Sequence, residues 1–74
     1  MITVNGEQVN AEGMNISSYL EKNNYDSRRI VVEVNYEIIK KENYDNYNFK
    51  EGDIVEIVSF VGGGWFLNKK EQRL

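Results

Sequence analysis

Five residues into the chain stands Asn5-Gly6, and no other dipeptide in the sequence constrains the fold as strongly. Asn and Gly both accept positive φ, which a two-residue hairpin turn demands at each of its central positions. The residues before the turn, Ile2 and Val4 with polar neighbours, alternate with the period of a strand that buries one face. Gln8-Val9-Asn10 after it reads as the return strand. The chain is therefore expected to open with a β-hairpin.

The pattern then changes period. Glu12-Gly13-Met14 is a break, and Asn15 is placed to cap a helix through its side-chain oxygen. Ile16, Tyr19 and Leu20 fall at i, i+3 and i+4, and Asn23-Asn24 ends the segment after about two turns. A helix this short is not stable alone and must dock on a sheet. Ile30 to Val34 is dense in β-branched residues and predicts a well-buried strand. Asn35-Tyr36 predicts a turn and Glu37 to Lys40 a shorter strand, with Lys40-Lys41-Glu42 as charges that defend a sheet edge. Asn43 to Asn48 looks irregular, with room for one tight helical turn, and Phe49 is its expected anchor in the core. Glu51-Gly52-Asp53 predicts a turn, with Glu51 and Asp53 as solvated turn residues, before a last strand from Ile54 to Val61.

The resulting order, β-β-α-β-β-β, predicts an α+β fold of the β-grasp kind. A mixed sheet of four to five strands packs on one short helix, and the first and last strands pair in parallel at its centre. The expected core is Val4, Val9, Leu20, Val32, Val34, Phe49, Val55 and Ile57.

Composition narrows the function classes. With 74 residues the chain forms one small domain with a thin core and little room for an enclosed active site. It has no Cys and no His, so a thiol nucleophile, a thiolate zinc site and the commonest general base are all missing. Residues 1–64 hold 6 Lys/Arg against 11 Asp/Glu, a balance of −5, whereas residues 65–74 hold 3 against 1, a balance of +2. The acidic body argues against nucleic acid as a partner and suits a basic protein surface. No apolar run is long enough to span a bilayer, and the N-terminus lacks the features of a signal peptide, which fits a cytoplasmic protein. No pair of carboxylates is supplied with a partner of different pKa, no catalytic residue is assigned, and neither a metal site nor a cofactor site is expected.

Gly62-Gly63-Gly64 follows the last strand without the Lys-Ser/Thr of a phosphate loop. It is either a plain linker or an arm that enters another protein's active site. Glycine's bare backbone threads a narrow channel and approaches a nucleotide closely. A carboxylate at the end of such an arm attacks the α-phosphate of ATP, and the acyl-adenylate formed is open to a persulfide sulfur. That chemistry asks no catalytic group of the carrier.

Four segments in this order and spacing carry a family resemblance: Ile2-Thr3-Val4-Asn5-Gly6, Val34-Asn35 with Glu37-Ile38, Glu51 to Val58, and Val61-Gly62-Gly63-Gly64. Through residues 1–64 the chain resembles the ThiS branch of the ThiS/MoaD sulfur carriers, which are ubiquitin-like. The MoaD branch is usually longer and has prolines before its glycines, and this chain has no Pro. The resemblance implies a sulfur carrier for the thiazole ring of thiamine and not an enzyme. Gly64 would be adenylated and thiocarboxylated by a ThiF-type enzyme, and thiazole synthase would take the sulfur. It also implies an apolar partner surface on the sheet, for which Ile54, Val58 and Phe60 are the candidates because they lie opposite Val55 and Ile57. The alternatives are a ubiquitin-like binding module that is never conjugated, or a carrier for another pathway such as molybdopterin synthesis.

One departure stands out. The family pattern ends at Gly64, and here the chain continues through Trp65-Phe66-Leu67 to Leu74. Within this chain Gly64 is an amide without a free carboxylate. A processing protease that removes residues 65–74, as happens with ubiquitin precursors and some sulfur carriers, restores the carboxylate. A cloning or reading-frame artefact, or a domain that only binds partners, are the other readings.

Overall fold

The computed structural model describes residues 1–60. Strand β1 (Ile2–Val4) turns at once into β2 (Glu7–Val9), and α1 (Ile16–Lys22) follows. A 3-10 turn (Ser27–Arg29) leads into β3 (Ile30–Val34), which turns into β4 (Glu37–Ile39). A second 3-10 turn (Lys41–Asn43) and an irregular stretch precede β5 (Ile54–Ser59). The five strands form one mixed sheet in the order β2-β1-β5-β3-β4, with β5 in the middle. β5 runs parallel to β1, with Thr3 opposite Ile54 and Val4 opposite Val55, and antiparallel to β3. The expected β-grasp topology is the observed one.

Both hairpin turns use the left-handed region. Asn5 and Gly6 have φ of 50° and 86°, and Asn35 and Tyr36 have 52° and 73°. Each Asn also spends its side chain on β5. The Asn5 amide donates to the Ile57 carbonyl (3.2 Å) and accepts from the Ile57 N–H (2.9 Å), which extends the parallel ladder past the end of β1. Asn35 Oδ1 accepts from the Ile54 N–H at 3.0 Å. These bonds satisfy backbone groups that the turns would otherwise leave without a strand partner.

The helix starts as the sequence requires. Asn15 Oδ1 accepts from the Ser18 N–H at 2.7 Å. The N–H groups of Ile16 and Ser17, orphaned at any helix start, donate to the Tyr47 and Tyr44 carbonyls at 3.1 Å each. The irregular stretch after β4 is thus a cap built from distant sequence. Phe49 anchors it as expected, edge-on to Tyr19 (5.7 Å between centroids) and to Tyr47 (6.1 Å).

Several boundaries differ from expectation. The two-residue turn starts β2 at Glu7 and ends it at Val9, one residue earlier than read. β4 stops at Ile39, before Lys40, and the tight turn falls on Lys41–Asn43, ahead of the stretch expected to hold it. β5 ends at Ser59, short of the expected Val61, although the Phe60 N–H still bonds the Arg29 carbonyl (2.9 Å) in the β3–β5 register; Val61 lies outside the described residues. Val9 is only half-buried, because β2 is an edge strand. The core also takes Ile2, Ala11, Ile16, Tyr19, Ile30 and Tyr44, which the expected core omitted. Ile30 and Ile16 are fully enclosed between sheet and helix, and Tyr44 is carried in by the capping stretch.

Candidate functional site

The last described residue of β5 locates the point from which Gly62, Gly63 and Gly64 continue; those three residues lie outside the described range. β5 leaves the centre of the sheet at Ser59, opposite Ile30 of β3. β1 ends at Val4, so at this level β5 is braced by β3 on one flank.

The outer face of the sheet, away from α1, carries the three candidate partner residues in part. Ile54 (38% exposed) opens β5 and Val58 (half-buried) lies near its end, with Glu56 between them. Four residues of strand separate Ile54 from Val58 by about 13 Å, so the two do not form one patch by themselves. Phe60 is half-buried past the strand end. Two residues that the sequence reading did not single out join this face through the strand register. Val31 stands opposite Val58, and Ile38 (46% exposed) stands opposite Glu33. Glu33 in turn faces Glu56. The outer face is therefore an acidic pair flanked by Val31, Val58, Ile38 and Ile54. Strand alternation alone pointed to Ile38; placing Val31 beside Val58 needed the β3–β5 register.

The other end of β5 holds the most perturbed titratable groups, and there sequence reasoning failed. Asp53, expected as a solvated turn residue, is 5% exposed. Its carboxylate accepts from Asn35 Nδ2 (3.0 Å), the Tyr47 hydroxyl (2.7 Å) and the Lys50 N–H (2.9 Å). Burial opposes the charge of Asp53, but the bonds from Lys50, Tyr47 and Asn35 together outweigh it and hold the carboxyl below the usual carboxylate range. Tyr47 responds in the opposite direction. Burial, and then its bond to Asp53, push the phenol up to about 12. Perturbed pairs often mark catalysis, yet this carboxylate is spent on three donors that close a turn. It sits about 20 Å of strand away from the exit of β5. It is a structural lock.

The same pole is tied at the N-terminus. The Met1 ammonium lies 2.9 Å from Glu12 and 2.6 Å from Glu51. The hydrogen bond to that ammonium is the main cause holding the Glu12 carboxyl down to about 2. Among the described residues no cluster of side chains is suited to a metal ion. No helix among them is long and apolar enough to cross a membrane.

Comparison with known proteins bears on the whole domain. The model of the ThiS family matches residues 1–64. The sulfur carrier protein ThiS of Bacillus subtilis (strain 168) is 36% identical over 66 residues, covering 86% of this chain and 100% of that protein. A thiazole synthase of Paramagnetospirillum magneticum is 39% identical over 64 residues, covering 85% of this chain and 20% of that protein. The chain thus spans about a fifth of the length of that relative. The crystal structure of the thiamine biosynthesis protein ThiS from Geobacter metallireducens superposes with a TM-score of 0.71 at 36% identity, covering 85% of this chain and 97% of that one.

Proposed function

Because the chain belongs to the ThiS family, we propose that it is a sulfur carrier of thiamine biosynthesis whose reactive end is Gly64, freed by removal of residues 65–74. The match that runs from the Asn5-Gly6 hairpin through β5 to Gly64 carries this reading. The carrier domain is then residues 1–64, with residues 65–74 as an extension.

The carrier works as a protein cosubstrate. Cleavage of the Gly64–Trp65 bond leaves a carboxylate. A ThiF-type enzyme joins that carboxylate to the α-phosphate of ATP and releases pyrophosphate. A persulfide sulfur then attacks the acyl carbon and AMP leaves with the bonding pair. A thiol supplies the two electrons that split the acyl persulfide and leave the thiocarboxylate. Each step uses groups of the partner, which suits a domain with no Cys and no His. The occurrence of a similar segment within a protein named thiazole synthase supports thiazole formation as the destination of the sulfur. The outer sheet face, with Val58 and Phe60 near the exit and Ile54 at the far end, is the proposed docking surface for the adenylating enzyme. The exposed Glu56 on that face favours a basic patch there.

The test is mass spectrometry of a form ending at Gly64 after incubation with ATP, a ThiF-type enzyme and a persulfide donor. The expected product has gained the difference between one sulfur and one oxygen. An unchanged mass under conditions that load Bacillus subtilis ThiS overturns the proposal.

A further inference from the structure

The register of the sheet leaves an opening. β3 pairs with β5 along all of Ile30–Val34, but with β4 only from Val32 to Val34. Past Ile39 the chain turns away into Lys41–Asn43 and uncovers the flank of β3 at Ile30 and Val31. The result is an open groove of about 230 Å³ lined by Ile30, Val31, Ile38, Ile39 and Tyr44, with Lys40 and Lys41 as its charged members.

We propose that the segment Trp65-Phe66-Leu67 of the same chain occupies this groove, so that the uncut protein folds its glycine arm back against its own domain. Three observations point to this occupant. The first is proximity: β5 exits at Ser59, directly opposite Ile30, and the Phe60 N–H bonds the Arg29 carbonyl at the groove's near end. The second is reach. Crossing β3 requires about two strand spacings, roughly 10 Å, and the five residues 61–65 span up to about 17 Å when extended. A connection that short gives the triplet a high effective concentration over the groove. The third is chemistry. Trp65, Phe66 and Leu67 are bulky and apolar, the groove is walled by aliphatic side chains, and Lys40 and Lys41 suit an aromatic face.

The docking stands apart from the sulfur chemistry; only its consequence, that the uncut chain withholds Gly64 from the activating enzyme, rests on the proposed function. Trp65 is the single Trp of the chain, so its fluorescence reports the segment directly. In the full chain, Trp65 emission is expected to be blue-shifted, and acrylamide quenching several-fold weaker, relative to the same chain unfolded in urea. Both should be independent of protein concentration. Ile38→Ser and Val31→Thr should each restore much of the quenching, with far-UV circular dichroism verifying that the sheet persists. Ile54→Ser, at the far end of the same face, should leave it unchanged. Emission and quenching equal to those of the unfolded chain overturn the proposal. Shielding that falls on dilution overturns it in favour of a second copy. Shielding lost in Ile54→Ser but kept in Ile38→Ser overturns it in favour of the Ile54 end of that face. Loss of sulfur loading in the Gly64-terminated form, with Trp65 shielded in the full chain, would sink the carrier reading and leave the docking intact.

Discussion

The two ends of β5 are held by different means. At the start, Asp53 gathers three donors from two segments, Asn35 extends the strand, and the Met1 ammonium bridges Glu12 and Glu51. At the end, among the described residues, Ser59 pairs with Ile30 of β3, and the Phe60 N–H bonds the Arg29 carbonyl. One end sets the register of the central strand. The other is the point from which the chain continues toward Gly62. The described bonds that lock the fold at Asp53 and the proposed reactive end of the chain therefore belong to opposite ends of β5.

Changes at each pole should separate stability from transfer. The largest effect is expected from shortening the processed form by one residue, to end at Gly63. Sulfur loading, read by mass spectrometry, should fall to background while the urea midpoint stays unchanged, because Gly64 contributes nothing to the core and ladders of the described residues. Asp53→Asn should cost about 2 kcal/mol of unfolding free energy, since a buried acceptor of three bonds gains an ill-matched donor. It should leave loading intact under native conditions. It should also change the acid limb. The Asp53 pKa is depressed in the fold, so its contribution is present above the ordinary carboxylate range and is lost as pH falls through that range toward its folded value. Urea titrations at pH 7 and in acid should show the wild type losing stability faster than Asp53→Asn. Phe60→Ala, at the open pole, should cost only about 1 kcal/mol, half of a full aromatic burial. It should weaken binding to the adenylating enzyme, measured by calorimetry, more than Asp53→Asn does. The smallest effect has the opposite sign. Tyr36 is exposed with φ of 73°, where a side chain costs about 1–2 kcal/mol and glycine nothing. Tyr36→Gly should therefore stabilise the domain by about 0.5 kcal/mol, net of glycine's larger unfolded-state entropy.

What was legible in the sequence is local. Asn5-Gly6 predicts its hairpin because the turn's backbone demands are met by two adjacent residues. Asn15 predicts its cap because the acceptor and the donated N–H lie three residues apart. Ile16, Tyr19 and Leu20 show their buried stripe through spacing alone. The burial of Asp53 is not legible locally, because Asn35 reaches it only after β3 and β5 pair and Tyr47 only once its stretch has folded back to cap α1. Val31 escaped notice for the same reason: in a run of β-branched residues, nothing local says which of them faces Val58. The tight turn at Lys41–Asn43 was displaced because the stretch after it is committed to capping α1 through the Tyr44 and Tyr47 carbonyls. These carbonyls serve a helix start more than twenty residues earlier, and no spacing rule reads such a pairing.

The position of β5 also orders events during synthesis. Among the described strands it is the last in sequence, and it enters between β1 and β3 as the strand that joins the two hairpins. Until then the nascent chain holds two separate hairpins, each marginal alone. Closing them requires contacts such as Asn5 to Ile57, across 52 residues of sequence, and contacts of such separation carry the largest loop-closure cost. β5 is thus the keystone of the described sheet. A chain that stops short of it lacks the ladders that join β1 to β3.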